Sequence, residues 1–305
     1  MTDLLRQIRE LCNHPWKREL LLNDRIKWNK LWASMDAIED TQLAIDTYLG
    51  LEKFDGYSGG YLYVYGLLQA LNIQQDAVNN LNTSLFNATI DYKNEYPKLY
   101  EIRENRNNSI GHPTSRGNDA SFHNIDRSSI SKEAFTLASY FPKTGSKSIF
   151  QNIDIIESIE QQFVLVNQIL NKVMSKLEHD FEAHKNKFKG QSLRAIVRDD
   201  MHYEFSKLNE HIYHDHPLVE MNFKHIQAAI NKIKEGIIER YFAISALQGT
   251  EDTLSLIDYI INRLDQTLIK SKIEDKFELR IFVNSLQSNF EELLEMLEEI
   301  DKEFK

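Results

Sequence analysis

Apolar residues recur at three- and four-residue spacing through most of the chain, the pattern of amphipathic helices that each bury one stripe. The spacing predicts helices over about 16–34, 36–52, 60–89 and 93–110. The third follows Gly59-Gly60, read as a breaker. Its first half is apolar nearly all round, through Tyr61, Leu62, Val64, Leu67, Leu68 and Leu71, so it is expected to be central and buried. After Pro113 the texture changes to "TSRGNDASFHNIDRSSISKEAFTLASYFPKTGSKS", in which "SFHNI" and "AFTLASYF" alternate briefly and are read as a small β-hairpin. Residues 149–188 contain no Gly or Pro and are expected to form one long helix closing near Gly190. Further helices are predicted at about 193–212, 217–247, 250–272 and 275–303, the last two carrying stripes such as Leu254, Ile257, Leu264 and Leu286, Phe290, Leu293, Leu297. Long helices joined by short turns make antiparallel neighbours. The fold class is therefore all-α: a helical domain over 1–189, then an antiparallel long-helix bundle over 190–305, with the boundary at Gly190.

Composition agrees with this pattern. Eleven glycines and five prolines in 305 residues are too few for a turn-rich sandwich or barrel, and no Gly-rich phosphate loop follows a Val/Ile-rich run. The formal net charge of −10 removes any general attraction for polyanions, so a nucleic-acid contact must be local. Cys12 is the single cysteine, which excludes an internal disulfide and fits a reducing compartment. The first twenty residues are too charged for a signal peptide, and there is no 18-residue apolar run. The expectation is a cytoplasmic protein with no membrane contact.

One stretch carries chemistry: "RENRNNSIGHPTSRG", residues 103–117. If a helix ends near Ile110 and Gly111 turns left-handed, Arg106 and Asn107 lie in its last turn and His112 is free to fold back toward them. Arg106 offers a permanent charge and a planar fork of donors suited to phosphate. A histidine exchanges protons near neutral pH, and Asn107 can orient either partner. That is the minimum equipment for cleaving RNA without a metal or other cofactor, the 2′-hydroxyl attacking the adjacent phosphate. Two proton transfers are needed and the stretch holds one histidine, so a homodimer with a composite cleft is expected.

The string "RNNSIGHP" resembles the motif of the HEPN (higher eukaryotes and prokaryotes nucleotide-binding) domain family, an arginine and a polar residue followed by a histidine with four to six residues intervening. The resemblance covers roughly residues 35–187 and implies a HEPN-like helical bundle with the motif at a helix end. It further implies that Arg106 and His112 are catalytic and Asn107 assists. The activity it implies is that of a metal-independent endoribonuclease acting as a toxin or antiphage-defence effector, paired with an antitoxin or defence-system protein. The alternative is a non-catalytic HEPN-like scaffold or nucleotide-binding module that acts with a partner protein.

Other residues are weighed around this centre. Gln69, Asn72, Gln75, Asp76 and Asn79 form a polar stripe on the predicted central helix, which either faces solvent or, through Gln75 or Asp76, holds Arg106 or His112. Arg103, Arg116 and Arg127 are the candidate RNA-binding cations; the denser run Lys185, Lys187, Lys189, Arg194 and Arg198 reads as a solvated helix junction. Asp199, Asp200, His202, His211, His214, Asp215 and His216 match no metal-ligand spacing, and no metal is expected there. The acidic run "EELLEMLEEIDKEFK" reads as a solvated helix face.

Overall fold

A computed structural model describes residues 1–197, 199–214, 217–268 and 276–305. Those residues are mostly helical, with a small three-stranded antiparallel sheet. They divide into two compact units, residues 1–10 with 24–177, and residues 11–23 with 178–305. The division falls inside a long helix and not at Gly190, and a segment near the N-terminus joins the C-terminal unit.

In the first unit, α3 (Arg25–Leu49) is one helix across the expected break at 34–36. It starts where Asp24 accepts from the Ile26 and Lys27 amides, both at 3.1 Å, and so satisfies two donors that no helical carbonyl can reach. The preceding helices are α1 (Thr2–Asn13) and α2 (Pro15–Leu22). α4 (Gly56–Phe86) packs along α3 through Val64, Leu67, Leu71, Val78 and Leu81 against Leu31, Met35, Ile38 and Ile45. Gly59-Gly60 does not break it. A Cβ on Gly60 would lie 2.8 Å from Ile130 Cγ2 and 3.0 Å from Phe54 Cδ2, so this glycine serves close packing inside the helix. Nor is the first half of α4 buried all round: Leu62 is 72% exposed.

Pro97 divides the next predicted helix into α5 (Tyr92–Glu95) and α6 (Pro97–Arg106), because the residue before a proline is pushed out of the helical region and Tyr96 is non-helical (φ −137°, ψ 63°). The sheet follows, in the order β1 (Phe122–Ile125), β2 (Ala134–Phe141), β3 (Ser146–Asp154). The first two strands are the expected hairpin. β3 occupies residues 149–154 that helical texture alone assigns to the long helix: Phe135 pairs with Ile153 and Ala138 with Phe150, and cross-strand bonding overrides the local preference. The helix α7 therefore spans Ile155–Phe188, and Gly190 behind it is left-handed.

The second unit contains α8 (His202–Tyr213), α9 (Val219–Tyr241), α10 (Gln248–Leu268) and α11 (Lys276–Lys302). Two short 3₁₀ turns occupy the region before α8 where a helix from 193 is expected. Phe223, Ile226, Ile230, Ile257, Leu264, Leu286, Phe290 and Leu297 make its core. Glu291, Glu292, Glu295, Glu298 and Glu299 stay on the exposed face of α11. No described helix is long and apolar enough to cross a membrane. Among the titratable groups buried in this unit is His184, which stacks on Trp16 at 4.2 Å and whose Nε2 has no hydrogen-bond partner among the described residues. Burial, only partly offset by the nearby Glu303 carboxylate, pushes its pKa down from 6.5 to about 4.

A base whose pKa is depressed by folding lends stability that is intact above the unfolded value and is lost as the pH falls through the folded one. The Tm is therefore expected to drop as the pH falls from about 6.5 toward about 4, and His184→Phe, which keeps the ring stack, to make that drop shallower. Thermal melts of both proteins across this range check it, and parallel slopes would contradict the assignment.

Candidate functional site

The motif begins where α6 ends. At Asn107 the helix does not turn left-handed at Gly111; it widens into a π-turn over Asn107–Gly111, closed by a 2.7 Å bond from the His112 amide to the Asn107 carbonyl five residues back. Such single π-turns are rare and concentrate at functional sites. Gly111 is needed here for room: a Cβ would lie 2.8 Å from Arg106 Nη1 and 3.4 Å from Asn107 Oδ1. The Arg106 guanidinium thus lies directly over the glycine.

Two amide oxygens fix that guanidinium. Gln69 Oε1 accepts from Nε at 3.1 Å and Nη2 at 2.7 Å, and Asn107 Oδ1 accepts from Nη1 at 3.0 Å. Asn107 in turn donates to Glu104 at 3.5 Å. Arg106 and Asn107 are therefore brought together as expected, whereas His112 is exposed and, among the described residues, its imidazole makes no hydrogen bond. It does not fold back onto Arg106.

The neighbouring arginines are held differently. Arg103 Nη2 donates to Asp76 and Nη1 to Gln75 at 3.5 Å, so the two residues expected to brace Arg106 or His112 brace Arg103. Arg116 donates to both Glu104 oxygens at 2.8 Å and to Asn108. Arg127 lies exposed at the start of a 3₁₀ turn and, among the described residues, makes no ion pair. Of the four, Arg106 is the one that is both oriented and without a carboxylate partner among the described residues. Its charge remains available to an anion.

Behind these arginines runs a chain of buried amides. Gln75 Nε2 donates to Gln162 Oε1 at 2.8 Å and to the Leu99 carbonyl at 3.1 Å. Gln162 Nε2 donates to Gln74 Oε1 at 3.0 Å and to the Leu71 carbonyl at 2.8 Å. Gln74 Nε2 continues to Gln42 Oε1 at 3.3 Å. The line joins α3, α4, α6 and α7, and its far end is Gln75 Oε1 accepting from Arg103. Gln74 and Gln162, which carry it through the core, are not residues the motif points to; the isolated polar positions on apolar faces were their only signal in the sequence.

His123 is a second histidine close to the motif, its backbone amide bonded to the Pro113 carbonyl at 2.8 Å. Its ring nitrogens meet Ser139 Oγ at 2.8 Å and Ser121 Oγ at 2.9 Å. Burial, with a smaller effect from the Arg116 charge, lowers its pKa, which favours a neutral ring held between two hydroxyls.

Elsewhere, Lys185 and Lys187 lie over the Phe181 and Phe188 rings at 4.8 and 4.6 Å, and Arg194 pairs with Asp200 and Glu298; Arg198 lies outside the described residues. Asp215 and His216 also lie outside them, and among the described residues no three His, Cys, Asp or Glu side chains are placed to share a metal ion. Comparisons of the chain with known protein families, with curated proteins and with solved structures found no match.

Two substitutions test this construction. Gly111→Ala is expected to push the Arg106 guanidinium off Gln69 while costing less than about 1.5 kcal/mol of stability; the Arg106 Nε–H resonance in NMR spectra reports the displacement, and an unmoved resonance argues against it. Gln162→Leu leaves Gln75 Nε2 and Gln74 Oε1 short of partners in the core and is expected to cost about 2–4 kcal/mol in urea unfolding.

Proposed function

We propose that the protein is a metal-independent endoribonuclease of HEPN type that acts as a homodimer, with Arg106, Asn107 and His112 of both copies forming one composite site. The observation that carries this reading is the contrast among the arginines. Arg103 and Arg116 are matched with carboxylates, while among the described residues the half-buried Arg106 fork is aligned by neutral amide oxygens alone. A guanidinium aligned in this way is poised for a phosphate, and for the extra negative charge that builds on its equatorial oxygens during attack.

In the proposed reaction the 2′-oxygen bonds to phosphorus as its proton passes to one His112. The bond from phosphorus to the 5′-oxygen breaks as the other His112 donates a proton to that oxygen. The products are a 2′,3′-cyclic phosphate and a free 5′-hydroxyl. His123 does not fit the second role, since both its ring nitrogens are engaged and burial disfavours its charged form. His112, exposed and without a hydrogen-bond partner among the described residues, fits both when supplied twice. Arg106 contacts the non-bridging oxygens, and Asn107 keeps its fork in register. Arg103 and Arg116 become positioning residues, and Arg127 remains available for flanking phosphate. A dimer is further favoured by the face of α4 that carries Gln69, where Leu62 and Ile73, three turns apart, are uncovered. The setting proposed for this activity is that of a toxin or antiphage effector restrained by a cognate protein.

The purified protein is expected to cleave RNA in the presence of EDTA and to leave cyclic-phosphate or 3′-phosphate ends. His112→Ala is expected to lower the rate by roughly 10²- to 10⁴-fold, the range for a lost general acid or base. Gel assays with end analysis check this; a variant within twofold of the parent would remove the assignment.

A further inference from the structure

An open groove of about 620 Å³ starts one residue from His112. Ser109 of the π-turn and Pro113 just beyond it line the groove; Tyr61 and Tyr65 of α4, Tyr140 of β2 and Phe150 of β3 supply its rings. The sheet register places two of those rings. Phe150 lies opposite Ala138 of β2, and Tyr140, opposite Phe122 of β1, lies where the β2–β3 register slips between Ser139 and Phe141; both border the groove beside Ala138. Tyr65, Tyr140 and Phe150 are 41%, 38% and 66% exposed, a concentration of uncovered aromatic surface beside a polar site. The Ser109 hydroxyl is buried in this wall and has no hydrogen-bond partner among the described residues. Arg127, without an ion pair among them, borders the same groove, as does the exposed amide of Asn124.

We infer that this groove holds an unpaired base of the RNA substrate, next to the phosphate at Arg106, so that the protein selects single-stranded RNA; the choice of occupant rests on the ribonuclease reading above. Rings of tyrosine and phenylalanine offer flat apolar faces that any nucleobase can stack on. The volume suits one or two nucleotides, not a duplex, whose bases present only their edges. Arg127 meets the flanking phosphate, Asn124 the base edge, and Ser109 supplies a hydroxyl that lacks a partner inside the protein. The sheet thus does more than connect α6 to α7: its outer face is the substrate-facing surface.

Binding of a fluorescent single-stranded RNA of about 12 nucleotides, measured by anisotropy on the His112→Ala protein so that the RNA stays intact, tests this. Tyr65→Leu and Phe150→Leu, each added to that background, are expected to weaken binding at least about fivefold, as loss of a stacked base does. Tyr65→Phe, which keeps the ring, is expected to bind like its parent, and circular dichroism verifies that each variant is folded. Leucine variants that bind like their parent overturn the proposal, as does equal affinity for a duplex of the same sequence. Ring-dependent binding of AMP without binding of the oligonucleotide also overturns it, making the occupant a free nucleotide. The outcomes separate the two readings: ring-dependent RNA binding with no cleavage by the unmodified protein removes the ribonuclease and keeps the groove. Cleavage with ring-independent binding does the reverse.

Discussion

The first unit depends on a line of buried amides. Arg103 donates to the Gln75 carboxamide oxygen, and the amide nitrogens of Gln75, Gln162 and Gln74 donate in turn to the oxygens of Gln162, Gln74 and Gln42. Each buried amide left unpaired would cost about 1–3 kcal/mol, so the line tolerates little displacement of the helices that contribute to it. Leu71 and Leu99 carbonyls accept from the same nitrogens, which ties the register of α4 to α6 and α7 as well as to side chains. An apolar seam would hold these helices together with more freedom to slide. Here the polar line fixes where α6 ends relative to Gln69, and hence where Arg106 lies.

The consequence is a sorting of charge. Four arginines lie within residues 103–127, and sequence proximity makes them equivalent candidates for phosphate. The fold separates them by what α4 and α6 present. Asp76, held by Asn72 at 3.1 Å, takes Arg103, and Glu104 takes Arg116. Position 69, two turns before Asp76, carries a neutral amide instead, and that difference between a glutamine and an acid leaves Arg106 oriented but unneutralised. In a chain of net charge −10, keeping one half-buried cation free of carboxylates is a local property of the fold, not of composition.

How far the sequence revealed this follows the range of the interactions. Helical texture and the long stripes of α10 and α11 are local and periodic, so they are legible, as is the hairpin of β1 and β2. β3 is not, because residues 149–154 run into the long helix with no Gly or Pro to mark a boundary, and only their pairing with β2 sets them apart. The break at Asn23-Asp24 hides behind continuous apolar spacing, and Gly59-Gly60 reads as a breaker until Ile130 is known to press on Gly60. In the motif, Arg106 beside Asn107 is legible. The partnership of Gln75 and Asp76 with Arg103 is not, since a one-turn difference along α6 decides which arginine they reach.

The π-turn is the step at which backbone geometry and side-chain chemistry become one constraint. A left-handed Gly111 would stop the helix by leaving it; the wider turn instead carries the Asn107 carbonyl to the His112 amide and keeps the chain beside α6 for one more residue. That brings the bare Gly111 under the Arg106 guanidinium, while His112 is carried outward into solvent with no side-chain partner among the described residues. A histidine meant only to cap a helix would end against a carbonyl, and one meant to brace the arginine would end against it. His112 does neither, whereas His123, eleven residues on, is enclosed by two serines in a form that favours neutrality. The chain thus holds a fixed cation and a free imidazole at one helix end, with no second free imidazole beside them among the described residues; the proposed reaction, which needs two proton transfers, therefore calls for two copies.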